Sequence, residues 1–276
     1  RPLERIILID NASTDGTAEW LGERGYTRHR RIAYLRLPEN RGGAGGFHAG
    51  VQHGFTHGYD WFWLMDDDAC PEPDALARLL DCQPQPQHLY GSTAIALNDP
   101  ENRLCWPTSL PDHSRLESQR DLAGPLLEIQ SLTFLGLLMH RQIVQQIGLP
   151  DADLFIAGDD IDYCERARTH GARLFLVTGS VLHHPLPVRR TITLPGRRLY
   201  NLVLPPWKRY YDVRNRVLVA RRHYGRRLWT ETLPGLLIRL GDALCHDPDR
   251  WQQLSAYLHG IHDGFRNRTG PRHWPS

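Results

Sequence analysis

Three short apolar runs, each followed by a polar loop and a helical pattern, limit what this chain can fold into. Arg5 to Ile9 (RIILI), Arg31 to Arg36 (RIAYLR) and Tyr59 to Met65 (YDWFWLM) all lie within the first 65 residues. Short, apolar and flanked by loop residues, they read as buried strands. Between them, about Thr17 to Gly25 and Phe47 to His57 read as helices. Strand, helix, strand, helix, strand at this spacing is the rhythm of an α/β fold: a mostly parallel sheet with crossover helices.

The third run ends in Asp66, Asp67 and Asp68, which its direction would place at the carboxyl edge of the sheet, where open α/β sheets bind ligands. Three like charges in a row repel one another, and a bound cation relieves that repulsion. The triplet therefore reads as a metal site facing a phosphorylated ligand, or as an Asp-rich turn capping a helix that begins near Pro73. Ahead of it, Gly42 to Gly46 is a run of small residues that lets backbone approach a ligand, with a helix amino terminus behind it to meet an anion.

After a helix at about Pro73 to Cys82 come a strand, Tyr90 to Leu97, and a proline-punctuated polar loop from Asn98 to Gly124. A loop of that length reads as a lid or binding segment. Leu126 to Met139 reads as strands, His140 to Ile147 as a helix, Asp159 to His170 as another, and Ala172 to Val177 as a strand running on to Val181-Leu182-His183-His184-Pro185. Asp159, Asp160 and Asp162 crowd carboxylates at the start of a helix, either to compensate its dipole or to do chemistry.

From Arg189 to Arg227 the character changes: twelve arginines and lysines stand against one acid, Asp212, with Tyr200, Trp207, Tyr210, Tyr211 and Tyr224 interleaved. This suits a solvated or interface face, a membrane surface carrying anionic lipid, or a pyrophosphate-linked acceptor; no nucleic-acid motif accompanies the charge. Helices at about Pro206 to His223, Thr230 to Cys245 and Arg250 to Asn267 make residues 189–276 a mainly helical, basic appendage to a domain of residues 1–188. The five cysteines are widely spaced without a CxxC pair, which fits a reducing cytoplasm. No apolar run approaches the ~20 residues a spanning helix needs.

IDNASTDGT (Ile9 to Thr17), NRGGAGGFHAG (Asn40 to Gly50), WLMDDDA (Trp63 to Ala69), AGDDIDYCERA (Ala157 to Ala167) and VLHHP (Val181 to Pro185), in this order, resemble the family-2 glycosyltransferases of the GT-A, Rossmann-like fold. YYDVRNRVLVARRHYG (Tyr210 to Gly225) is similar to a segment that follows the catalytic core in bacterial galactofuranosyl- and rhamnosyltransferases of cell-surface polysaccharide. The resemblance covers most of the chain. It implies an inverting transferase using a UDP or dTDP sugar, a divalent cation (Mn²⁺ or Mg²⁺), and a lipid-linked or polysaccharide acceptor at the cytoplasmic membrane face.

By the same resemblance, Asp66 and Asp68 hold the metal and Asp67 lies toward the ribose or sugar. His183 completes the metal shell, with His184 as its alternative or supporting neighbour. Asp159 is the base that takes the acceptor's proton, with Asp160 in reserve. Asp10 accepts a hydrogen bond from the pyrimidine, or is simply a strand-end turn residue. Asn40, Gly42, Gly43 and Gly45 line the nucleotide-sugar pocket. The pattern also implies a strand and helix ahead of Arg5, so the first family strand is expected to be missing here and the sequence reads as truncated. That leaves a non-catalytic nucleotide-sugar-binding module as the rival, with a nucleotidyltransferase a third reading.

Overall fold

The computed structural model of the chain describes residues 3–195 and 197–272, without the Arg197 side chain. The chain divides into two compact units, Arg1–Ala152 with Asp160–Leu186, and Asp153–Asp159 with Pro187–Ser276. A short segment from mid-chain thus belongs with the carboxyl-terminal part.

In the first unit, β1 (Ile6–Asp10) and β2 (Ile32–Arg36) pair in parallel, joined through α1 (Thr17–Glu23). Next come α2 (Gly42–Thr56), β3 (Trp61–Leu64), β4 (Cys70–Pro71), α3 (Ala75–Asp81), β5 (Leu89–Ala96), β6 (Arg103–Ser109), β7 (Arg115–Ser118), β8 (Leu126–Glu128), β9 (Leu137–His140), α4 (Arg141–Ile147), α5 (Asp159–Thr169) and β10 (Leu174–His184). Among the described residues the larger sheet has eight strands, ordered β3-β9-β5-β10-β4, with β6 and β7 extending from β5 and β8 pairing β10. β5 and β10 run parallel, from Leu174 opposite Leu89 to His184 opposite Ala96, with a bulge between Val177 and Val181. The other pairs are antiparallel, which makes this a mixed sheet. Leu89, Leu137, Met139, Ile143 and Tyr163 are buried in its main core.

Two expectations change here. The segment 98–124, read as one long loop, carries the β6–β7 hairpin. Leu104 pairs with Ile95 and is buried with Cys105, so tertiary pairing makes a strand of a proline-bearing segment; Pro107 is tolerated because the strand has few ladder partners to satisfy. α2 starts at Gly42, not near Phe47, so most of the glycine run is helical. A Cβ at Gly54 would lie 2.6 Å from Phe62 and 3.3 Å from Ile7, and one at Gly50 would lie 3.5 Å from Ile9. The glycines let α2 lie close over β1 and β3, and that packing offsets their poor helix propensity.

The second unit holds a hairpin, β11 (Arg189–Leu194) with β12 (Arg197–Leu202), then α6 (Pro206–His223), a π-helical turn at Leu228–Thr232, α7 (Leu233–His246) and α8 (Arg250–Phe265). The hairpin was not legible in the sequence. Val213, Val217, Leu236, Ala243 and Tyr257 form the helical core. Several of the arginines are paired within the unit: Arg190 with Asp242 and Asp247 at 2.8 and 2.6 Å and Arg216 with Asp212 at 2.8 Å, while Arg227 meets Glu231 at 2.9 Å on the exposed surface. Arg209 and Arg214 are fully buried. Part of the positive stretch is therefore scaffold, Arg190 meeting acids of a later helix and Arg209 and Arg216 sharing Asp212 of their own. Among the described residues no helix is long and apolar enough to cross a membrane.

Candidate functional site

β3 ends at Leu64, and a turn in which the Ala69 amide donates to the Asp66 carbonyl (3.3 Å) reverses the chain into β4. β4 pairs antiparallel with the end of β10, Pro71 opposite Leu182 and Cys70 opposite His183. The acidic turn is thereby laid beside the two histidines. Successive residues of a strand face opposite ways, so only one histidine can meet the acids.

That residue is His184. Its Nε2 lies 3.1 Å from Asp68 Oδ1, and donor atoms of Asp66, Asp68 and His184 all fall within 4.8 Å of one another. His183, expected in that role, turns to the other face, where its Nε2 meets Glu72 Oε1 at 2.8 Å. A shallow cleft of about 300 Å³ opens there, bordered by Glu72, Asn102, Gln119 and His183. Strand alternation is the reason for the exchange.

Two local observations suit this trio to a divalent cation. His184 Nδ1 lies 2.7 Å from the Pro185 carbonyl, a pure acceptor, which leaves Nε2 as the ring nitrogen turned to the Asp68 carboxylate. A backbone carbonyl on the far nitrogen is the usual orienting partner of a ligating histidine. The Asp66 residue keeps open surface, yet protein atoms gathered around its carboxyl, ahead of the nearby Asp68 charge, push it up from 3.8 to about 6. A carboxylate so disfavoured is one that a cation would stabilise. Asp67, in the same turn, is exposed and outside the trio.

Near the amino terminus Asp10 is buried at the end of β1. Burial alone would raise its carboxyl, but donation from Tyr34 Oη (2.5 Å) and the Ser13 amide (2.8 Å), with Arg36 at 3.6 Å, holds it below its usual value. Both oxygens already accept protein hydrogen bonds. Asn40 Oδ1 accepts from the Gly42 amide (2.9 Å) and from Asn11 Nδ2 (3.2 Å). Asn11, read from the sequence as a turn former, also donates to the Gly42 carbonyl (2.9 Å) and accepts from the Arg41 amide (2.8 Å), stitching the loops after β1 and β2 together. Gly42 takes the left-handed φ of 68° at this junction. Gly43 is exposed with open space where a Cβ would be, whereas Gly45 is buried, its Cβ position 2.4 Å from Arg41.

Asp159 begins α5 and is buried; Asp160, half-buried, accepts from the Ile161 amide at 2.7 Å. Asp162 is buried in an ion pair with Arg166 at 2.9 Å, which assigns that third acid to the scaffold.

A mixed α/β sheet that ends in an Asp-X-Asp turn beside a strand-end histidine defines a GT-A-type glycosyltransferase. The chain belongs to glycosyl transferase family 2, whose model matches residues 1–148. Galactofuranosyltransferase GlfT1 of Mycolicibacterium smegmatis is 30% identical over 230 residues, covering 78% of this chain and 73% of that protein. GlfT1 of Mycobacterium tuberculosis is 32% identical over 193 residues, covering 66% of this chain and 62% of that one. Among solved structures, GalNAc-T7 with UDP, GalNAc and Mn²⁺ aligns with a TM-score of 0.59 at 12% identity, over 96% of this chain and 50% of that chain. Mannosyltransferase PcManGT from Pyrobaculum calidifontis, in complex with GDP-Man and Mn²⁺, aligns with a TM-score of 0.54 at 15% identity, over 97% and 80%. At these identities the structures speak to the fold.

Proposed function

We propose that this glycosyltransferase moves a galactofuranose-type sugar from a nucleotide-diphosphate donor to a lipid-linked or cell-surface polysaccharide acceptor, with inversion at the anomeric carbon. The observation that carries the reading is the convergence of Asp66, Asp68 and His184 in a family-2 chain. The named galactofuranosyltransferase relatives favour that sugar, with rhamnose from a dTDP donor the other choice.

Asp66, Asp68 and His184 would hold the divalent cation, Mn²⁺ or Mg²⁺, replacing His183 of the sequence reading. When bound, such a cation offsets the charge left on the departing pyrophosphate. Asp67 is assigned to the ribose or sugar. Asp10, Asn40, Gly42, Gly43 and Gly45 belong to the nucleotide side, where the amino terminus of α2 offers amides to an anion. Asp159 is assigned as the base, with Asp160 in reserve: its carboxylate takes the proton of the attacking acceptor hydroxyl while the bond from the anomeric carbon to the phosphate oxygen breaks and its electron pair leaves with the nucleotide. A lipid-linked acceptor would bring the protein to the inner membrane face, with the basic 189–227 region as the contact.

The test is nucleoside diphosphate release from UDP-galactofuranose and from dTDP-rhamnose, with Mn²⁺ or Mg²⁺, using an acceptor free in solution or carried in anionic vesicles. Asp68→Ala and Asp159→Ala should each lower turnover at least 10²-fold, the order of a lost catalytic group, while the fold persists. Full turnover in either variant overturns that residue's role. Metal-dependent nucleotide binding without turnover would make the chain a binding module, and equal transfer in solution and on vesicles would remove the membrane contact.

A further inference from the structure

The RN pair within YYDVRNRVLVARRHYG is spent on backbone. Arg214 and Asn215, in the middle of α6, are each 1% exposed. Arg214 Nε donates to Asn215 Oδ1 at 2.9 Å, which fixes the carboxamide so that its NH₂ faces the other way. That NH₂ is surrounded by the carbonyls of Leu154 (2.8 Å), Ile156 (3.0 Å) and Ala157 (2.7 Å). The Arg214 guanidinium reaches the Leu154 carbonyl as well (2.9 Å) and the Gly270 carbonyl at 2.7 Å. All these residues lie within the second unit.

The segment so gripped is not one that a chain adopts unaided. Phe155 (φ 65°), Ala157 (φ 69°) and Gly158 (φ 81°) are all left-handed, and two of them carry a Cβ. Such residues persist only where the surroundings over-determine them, and they cluster at functional sites. Asp159 follows directly. Asparagine is also a poor mid-helix residue, so its burial in α6 needs a return other than helix stability.

We infer that Asn215, oriented by Arg214, is a positioning residue: it holds residues 154–158 in their left-handed path and so sets the place of the Asp159 carboxylate. The inference rests on Asp159 being the base. Asn215→Asp keeps the shape but replaces the two donors with a carboxylate among carbonyls, so the segment is released. A displacement of about 1 Å at the base costs on the order of 10²-fold in rate.

Two measurements test it, one of them independent of turnover. Hydrogen exchange of the wild-type and Asn215→Asp proteins should show amides of residues 154–160 exchanging at least tenfold faster in the variant, while α7 and α8 keep their protection. Unchanged exchange in 154–160 overturns the inference, as does general loss of protection that Asn215→Ser fails to relieve, since that would make the residue only a fold element. In the transfer assay with UDP-galactofuranose and Mn²⁺, Asn215→Asp should lower kcat with the donor KM within about twofold, and should move the acid limb of the kcat profile. An Asp159→Asn variant of full activity defeats the base assignment; a dead Asp159→Asn beside an Asn215→Asp with wild-type kcat defeats only the present inference.

Discussion

At the scale of single residues, the outcome turned on which face of a strand a histidine occupies. His183 and His184 are adjacent in VLHHP and chemically identical, and no spacing rule separates them; the register of β4 against β10 does. The two substitutions should therefore behave differently. On the proposed metal assignment, His184→Ala should raise the Mn²⁺ concentration for half-maximal transfer by about 10–100-fold, the scale even of orienting partners. His183→Ala breaks a half-exposed pair with Glu72 and should change that concentration less than about twofold. A manganese titration of both variants decides; the reverse ranking would return the site to His183. Asp66 and Asp68 were legible because three consecutive acids after an apolar run have few other uses. Asn11 was not, because its work is a set of contacts to the loop after β2, far along the chain.

At the scale of elements, glycine spacing fixes how closely helices can approach. α8 presents Gly260 and Gly264 to α6. A Cβ on Gly260 would meet the Tyr210 carbonyl at 2.9 Å, and one on Gly264 the Arg214 carbonyl at 2.9 Å and Val217 Cβ at 2.7 Å. Backbone cannot step aside as a flexible side chain can, so Gly264→Ala should destabilise the protein by about 1–3 kcal/mol, the cost of overpacking. Gly46, inside α2 with nothing within 4 Å of a Cβ, should respond oppositely. There alanine removes the entropic penalty of a helical glycine, and Gly46→Ala should stabilise by about 0.5–1 kcal/mol. Urea unfolding of the two variants checks both signs. Of the helices, those of the carboxyl-terminal part were read nearly to their ends. The β6–β7 and β11–β12 hairpins were missed because proline or arginine interrupts their strands, which leaves at most a short alternation such as Thr191 to Leu194.

At the scale of the whole molecule, the units interleave along the chain. Residues 153–159 belong with the carboxyl-terminal part, held by Arg214 and Asn215. A cut between residues 188 and 189, the boundary the composition change marks, would strip the buried Asn215 carboxamide of its three carbonyl acceptors and the Arg214 guanidinium of two of its four. Each such loss costs about 1–3 kcal/mol, comparable to a large share of a small unit's total stability. Expressed alone, residues 189–276 should therefore lack a cooperative thermal transition by circular dichroism, and a fragment that also carries residues 153–159, joined by a short linker, should recover it. A sharp transition in the bare 189–276 fragment would show the segment to be dispensable. Part of the arginine charge of this stretch is taken up inside the unit, Arg190, Arg209 and Arg216 pairing with Asp242, Asp247 and Asp212 and Arg214 donating to backbone carbonyls, while Arg198, Arg221, Arg222 and Arg226 stay exposed.

The sequence by itself determined the class of fold, the family and the acidic turn, since those depend on local patterns: the period of apolar residues, the order of motifs, carboxylates crowded where a strand must stop. Tertiary structure alone decided which histidine joins Asp66 and Asp68, why the glycines of α2 lie inside a helix, and what the buried Arg214 and Asn215 hold. Each of those depends on which atoms distant parts of the chain bring within about 3 Å of one another, the range at which hydrogen bonds and packing act.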